Sequence, residues 1–479
     1  MSAVLQDAPA ATSPTLRAAF EAQRAAFEAE RDPSYAVRLE RLARLQAMVE
    51  RMAPAMIKAI SADFGHRPAQ VTQISDVMPV LAALRHTRRH LRGWMKTRRA
   101  PTPLIYRPGR SEVMRQPIGV VGVVSPWNYP GNLALAPAVA ALAAGNRVLI
   151  KPSELTPRFA ELLRAEVAQS FSPGELAVIT GDADVGRAFV ALPFDHLLFT
   201  GSTAVGRHVA LAAAANLTPV TLELGGKSPA ILNPDCDLAR AVPSLLMGKL
   251  LNAGQTCIAP DYVAVPRPLL DAFVAAMKAG TQRMYPAIAS NPDYTSIVSA
   301  RHFARLQALV DDARERGATV VPLHTEVLTD TSQRKLPPLL LLNASDEMKV
   351  MQEEIFGPLL PVLVYDSLDE VIAYVNRHDR PLALYWFGRS DADRDRVLRQ
   401  TLAGGVTIND TLLHIAQEDL PFGGIGASGS GAYHGEWGFR TFSKETGVFH
   451  QPALNGVSLM YPPYGAMFER MLGWLRRLG

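Results

Sequence analysis

Cysteine is almost missing from this chain: its 479 residues include two, Cys236 and Cys257. A secreted scaffold held by disulfides needs more, so a reducing, cytoplasmic setting is expected. An excess of charge of one sign is missing too. Lys and Arg number 49 against 45 Asp and Glu, and the short basic stretch Arg85–Arg92 falls short of the one-sided basic face that a nucleic-acid groove requires. Nucleic acid is therefore not expected as a partner. No apolar run is long enough for a membrane span, which takes about 20 residues. The most apolar stretch, Leu133 to Ile150, is broken by Pro137, Gly145, Asn146 and Arg147. The opening MSAVLQDAPAATSP has no basic segment followed by an apolar core, so no secretory leader is expected. No metal site is assigned.

What is present is a globular composition, 48% hydrophobic and 20% charged, on a chain long enough for two or three domains or one large domain with an appendage. Apolar residues at helical spacing (Leu39, Leu42, Leu45, Met48, Met52) predict two helices around the turn Asp32-Pro33-Ser34, and a third over Gln73–Met95. After a Pro-rich break at residues 99–103, residues 104–116 read as a hairpin turning at Pro108-Gly109, of the kind that projects towards another subunit. From residue 118 short apolar strands alternate with Ala- and Leu-rich helices: strands at 118–125, 147–151, 177–180 and 196–199, helices at 133–144, 158–168 and 183–191. Such alternation implies a parallel sheet covered on both faces, and it resumes after Glu223 as a second α/β unit.

The chemistry-bearing residues fall mainly where strands end. Phe199–Gly206 places Gly201 and Ser202 at a strand-to-helix turn, where free N–H groups and the helix dipole suit an anion such as a dinucleotide pyrophosphate; a plain capped helix explains it equally well. The segment is not a GxGxxG fingerprint, and neither it nor Gly225-Gly226-Lys227-Ser228 completes a P-loop, so a nucleoside triphosphatase is excluded. Lys151-Pro152-Ser153-Glu154 follows a strand directly, and Lys151 and Glu154 are placed to bond a ribose diol; a helix start capped by Ser153 or Thr156 is the simpler reading. In Pro126-Trp127-Asn128-Tyr129-Pro130, a stiff loop can fix the Asn128 amide as an oxyanion donor, although Asn in a Pro-rich turn is common. Gly254-Gln255-Thr256 before Cys257 looks like a site loop rather than a core strand, whereas Cys236 reads as an inert core thiol. Glu223, among apolar neighbours and before two glycines, should have a raised pKa and could serve as a general base.

Taken together, PWNYP, KPSE, FTGSTAVG, ELGGKSP, GQTC, EEIFGP (Glu353–Pro358) and PFGGIGASGSG (Pro421–Gly431) occur in an order and spacing that resembles the aldehyde dehydrogenase superfamily over about residues 40–450. Residues 257–263, 408–414 and 431–435, with the early Ala62-Asp63-Phe64-Gly65, are similar to class 3, the branch that includes fatty, aromatic and coniferyl aldehyde dehydrogenases, and most of all to the coniferyl type. The resemblance implies an α/β fold with a Rossmann-type NAD(P)-binding domain (1–98 and 118–225), an α/β catalytic domain (226–425) and a small β oligomerisation element with a C-terminal tail (99–117 and 440–479). A homodimer is implied.

The resemblance also implies roles. Cys257 attacks the aldehyde, Asn128 and the Cys257 N–H hold the oxyanion, and Glu223 activates the water that hydrolyses the thioester. Lys151 and Glu154 bind the adenine ribose, Gly201, Ser202 and Gly206 form the pyrophosphate turn, Glu354 takes the nicotinamide ribose and Phe356 packs beside it. Tyr129 and Phe422 line the aldehyde tunnel, with His414 and Gln417 at its mouth, although a solvated loop is the simpler reading for Gln417. NAD is preferred over NADP, because the Glu154 carboxylate disfavours a 2′-phosphate, with NADP still open because class 3 enzymes can tolerate both. The expected substrate is coniferyl aldehyde or a related aromatic aldehyde. A medium- or long-chain aliphatic aldehyde stands second, and an inactive binding or structural relative last. Glu223 argues against transfer of the acyl group to CoA. In the C-terminal segment Met467, Met471, Trp474, Leu475 and Leu478 share a helical face, for docking on its own dimer or for weak contact with a membrane surface.

Overall fold

The computed structural model of the chain describes residues 14–326 and 330–478. The opening stretch expected to carry no leader lies outside them except for Pro14. The first two helices form where the apolar spacing puts them, Pro14–Ala29 and Tyr35–Phe64, and Ser34 caps the second by accepting from the Val37 N–H. The third runs over Met78–Trp94, but helical structure starts at Ala69 and passes through a π-helical turn at Gln73–Val77.

The alternating segment forms a six-stranded sheet in the order Gly429–Ser430, Val220–Leu224, His196–Gly201, Val120–Val124, Arg147–Lys151, Leu176–Val178. All neighbours are parallel except the short first strand. The chain starts in the middle at Val120–Val124, builds outward to Leu176–Val178, then returns to the other side at His196–Gly201. That reversal opens a crevice beyond the strand carboxyl ends, the usual place for a ligand in such sheets. The helix Pro130–Ala143 is apolar nearly all round and is buried accordingly, between this sheet and the helices Tyr35–Phe64 and Met78–Trp94.

The second α/β unit is a seven-stranded sheet, ordered Thr319–Pro322, Leu339–Leu342, Leu359–Tyr365, Tyr262–Pro266, Pro229–Leu232, Ala383–Phe387, Gly405–Ile408. The two sheets are tied by the Gly-rich segment 421–431, which returns from the second to pair Gly429 with Glu223 in the first. Gly429 has φ +133°, and a Cβ there would lie 1.9 Å from the Leu222 carbonyl oxygen, so this strand addition requires glycine.

One expectation is overturned. Residues 104–116 are not a hairpin: Leu104–Tyr106 is a 3-10 turn, and Arg110–Pro117 pairs with Arg98–Ala100 on one side and Ser443–His450 on the other. The Tyr106 and Arg107 N–H groups donate to the Pro103 and Leu104 carbonyls at 3.0 and 3.1 Å, so the segment closes on itself instead of offering donors to a partner strand. The result is a three-stranded antiparallel sheet of its own. No helix among the described residues is long and apolar enough to cross a membrane.

Candidate active site

Seven of the residues singled out from the sequence line one cavity of about 760 Å³ at the crevice: Asn128, Gly201, Ser202, Glu223, Cys257, Glu354 and Phe356. They arrive on five separate segments of the chain. Asn128 follows the strand Val120–Val124, Gly201 and Ser202 end the strand His196–Gly201, and Glu223 sits near the end of Val220–Leu224.

Cys257 is delivered by a tight turn. Asn252, Ala253 and Gly254 take φ values of +54°, +53° and +77° in succession. At Gly254 a Cβ would come 2.3 Å from the Gly357 carbonyl oxygen, so only glycine lets the two loops approach. Burial pushes the Cys257 thiol up to about 12, aided by the neighbouring Glu354 and Glu223 and opposed by the N–H groups of Cys257 and Ile258 that point at the sulfur. Those N–H groups are fixed donors beside the reacting atom.

Glu223 is 3% exposed, and neither carboxyl oxygen has a hydrogen-bond partner. Burial raises its pKa well above the ordinary carboxylate value. Asn128, also 3% exposed, donates one amide N–H to the Gln255 carbonyl at 3.3 Å.

Cofactor-sized features lie on the opposite side. Ser202 caps the helix Thr203–Ala214 by accepting from Val205, and Thr203 and Ala204, the first two residues of that helix, line the cavity. The first N–H groups of a helix have no intrahelical partner and suit a phosphate. Gly206 lets the helix pack closely on the sheet, since a Cβ there would lie 2.6 Å from Leu224 Cδ2. Glu354 is turned over Gly225 and accepts from the Gly226 N–H; its Oε1 is buried without a partner and burial lifts its pKa to about 8. Phe356 stands edge-on to Trp127 at 5.3 Å. Donor groups, an orphaned carboxyl oxygen and the volume together fit a dinucleotide. Lys151 and Glu154 do not line the cavity; they pair with each other at 3.3 Å. Thr156, not Ser153, is the N-cap residue of the following helix, without a side-chain cap bond.

The four residues assigned to an aldehyde tunnel do not line this cavity. Tyr129 is buried with its hydroxyl bonded to Thr256, and burial raises its pKa. Phe422 is 4% exposed and stacks between His434 at 5.0 Å and His414 at 6.0 Å. His414 is buried as well; Thr407 holds its Nδ1 at 2.8 Å and burial lowers its pKa to about 4. Gln417 is exposed. Sequence reasoning missed His434 and Tyr433, which complete this aromatic group, and also Arg67, Asp76 and Asn252, which contact the Asn128 loop. No local pattern marks any of these as site residues. Among the described residues no group of three or more His, Cys, Asp or Glu is arranged to hold a metal ion.

An α/β chain with a dinucleotide-sized cavity at its strand-order reversal, and a thiol inside it, fits the class of nucleotide-dependent enzymes with a cysteine nucleophile. Residues 1–448 match the aldehyde dehydrogenase family, and the chain belongs to it. A probable coniferyl aldehyde dehydrogenase of Pseudomonas aeruginosa is 50% identical over 457 residues, 95% of either chain. The coniferyl aldehyde dehydrogenase of a Pseudomonas species is 46% identical over 442 residues, 92% of each. Among solved structures, the substrate-bound state of Staphylococcus aureus AldH has a TM-score of 0.91 at 35% identity, covering 96% of this chain and 99% of that one. The reaction is NAD(P)-dependent oxidation of an aldehyde.

Proposed function

We propose that this chain oxidises coniferyl aldehyde, or a closely related aromatic aldehyde, to its carboxylic acid through a covalent intermediate on Cys257. The observation that carries the reading is the convergence of Cys257, Glu223 and Asn128 on one cavity, with the Glu223 carboxyl buried and unpartnered. The likeness to coniferyl aldehyde dehydrogenases supports the choice of aldehyde.

The sulfur of Cys257 adds to the aldehyde carbon, and the new oxyanion accepts hydrogen bonds from the Asn128 amide and the Cys257 N–H. This covalent route divides one difficult oxidation into two easier steps. A thiol pushed up to about 12 is nearly all protonated near neutral pH, so its proton must leave as the sulfur adds. A water relay carries that proton out to solvent, which leaves Glu223 free to act as the base of the next step. When bound, the nicotinamide supplies the hydride acceptor that turns the adduct into a thioester. Glu223 then removes a proton from water, the hydroxide adds to the thioester carbon, and the carbon–sulfur bond breaks to release the acid. Its raised pKa makes it a stronger base than an exposed carboxylate.

Gly201, Ser202 and Gly206 would form the pyrophosphate turn, Glu354 and Phe356 would meet the nicotinamide end, and Lys151 with Glu154 the adenine ribose. Glu154, with 48% of its side chain exposed, disfavours a 2′-phosphate there, so NAD is the preferred cofactor. Tyr129, Phe422 and His414 would shape the aldehyde side from below, as packing for the ring rather than as an open wall. We further propose a cytoplasmic homodimer joined through the three-stranded sheet.

Aldehyde turnover followed at the NADH absorbance, with NAD and then NADP, tests the reading. Coniferyl aldehyde should exceed alkyl aldehydes in kcat/KM. A preference of more than about tenfold for alkyl chains would replace it with a fatty aldehyde dehydrogenase.

A further inference from the structure

The strand Val120–Val124 passes directly into the loop that carries Asn128, and the helix Pro130–Ala143 begins right after it. This helix has Tyr129 at its N-cap position, without a side-chain cap bond of its own. The missing acceptor comes from another element. Asp76, on the π-helical turn Gln73–Val77, accepts from the Gly131 N–H at 2.9 Å and the Asn132 N–H at 3.2 Å through one oxygen. Its other oxygen accepts from Arg67 at 2.7 Å. A second Arg67 nitrogen donates to the main-chain carbonyl of Asn128 at 2.9 Å. Both charged side chains are 0% exposed.

The main chain is thus gripped on both sides of the Asn128 side chain. Asn252 adds a third hold, donating to the Asn128 carbonyl and to that of Gln255, each at 3.2 Å. The Arg67 guanidinium also covers the Tyr129 ring, 5.1 Å from its centre. Gly131 leaves room for this packing: a Cβ there would come 2.8 Å from Met56 Sδ and 3.2 Å from Asp76 Cβ. With the main chain held, the amide keeps one N–H on Gln255 and presents its other face to the cavity.

A buried ion pair is a poor source of stability, because desolvation offsets most of the attraction. Beyond their bond to each other, the hydrogen bonds that these two side chains make all go to one loop and the helix start that follows it, and the pair hangs on a π-helical turn, a distortion found often at functional sites. We infer that Arg67 and Asp76 form a buried latch that positions Asn128 as the oxyanion donor. They are positioning residues and touch neither aldehyde nor sulfur. The inference rests on the proposed role of Asn128.

A double-mutant cycle tests it in the full-length enzyme with coniferyl aldehyde and saturating NAD, reading the single-turnover rate of NADH formation and the Kd for NAD. N128A should lower the rate by about 10²–10³-fold. R67K keeps the charge but cannot reach Asp76 and the Asn128 carbonyl together, so it should lower the rate by about tenfold with the Kd for NAD unchanged. In the N128A background R67K should cost less than about threefold, since the group it positions is already gone. D76N should behave likewise; where it fails to fold, R67K carries the test, with a melting curve showing that it folds. An R67K loss that is equal in both backgrounds, or a wild-type rate for R67K, overturns the latch. A wild-type rate for N128A overturns the Asn128 role beneath it.

Discussion

At the scale of single residues, Glu223 is where stability has been given up. An unpartnered buried carboxyl resists ionisation, so its proton is held to a pH well above that of the unfolded chain. Between those two pKa values the folded state binds more protons than the unfolded state, and stability falls as pH rises. E223Q has no charge to bury and escapes this loss. We expect its Tm, relative to wild type, to rise progressively from pH 5 to pH 8, by on the order of a few degrees, in scanning calorimetry. A difference that stays flat with pH would contradict the buried, raised carboxyl.

Cys257 and Glu223 were legible because each stands in a motif whose neighbours are also informative: Gly254-Gln255-Thr256 and Gly225-Gly226. Arg67 and Asp76 were not. Their meaning lies in contacts with Asn128, Gly131 and Asn132, which are distant in sequence and are brought together only by the fold. The burial of His414 was not legible for a related reason. Its neighbours Leu413 and Gln417 are exposed, but Gly405, lacking a side chain, opens a slot for the ring that only the fold creates.

At the scale of elements, the strand-to-helix turn around Ser202 carries two jobs through one contact. Gly206 lets the helix Thr203–Ala214 settle on Leu224, which adjoins Glu223. A methyl group there must push the helix away or displace Leu224, moving both the N–H groups at the helix start and the base. G206A should raise the KM for NAD by about tenfold and lower kcat as well. An unchanged KM for NAD in steady-state kinetics would separate the helix from cofactor binding. The strands and helices of the alternating segment were readable because period and caps agree there with the final packing. The hairpin was misplaced because strand Arg110–Pro117 finds its long partner, Ser443–His450, near the other end of the chain, where no local turn announces it.

At the scale of the whole molecule, the three-stranded sheet leaves Ser443–His450 with one unpaired edge, and Leu104, Ile105, Tyr106 and Phe449 are exposed beside it. An open edge rimmed by large apolar groups is a template for pairing with another sheet. The helix Ala466–Leu478 adds exposed Met467 and Trp474; the side chains of Leu475 and Leu478, assigned to the same face, lie outside the described ones. Sedimentation should find a dimer, and I105E combined with F449E should yield a monomer. A wild-type monomer at micromolar concentration would contradict the proposed assembly.

The division of labour between a nucleophilic thiol and a hydrolytic base is the centre of the account, and E223Q tests it most directly. Mixed with coniferyl aldehyde and NAD, this variant should release about one NADH per active site and then stall. Intact-protein mass spectrometry should find the acyl group on Cys257 at that point. Steady turnover by E223Q near the wild-type rate, or a burst with no acyl mass on Cys257, would contradict it.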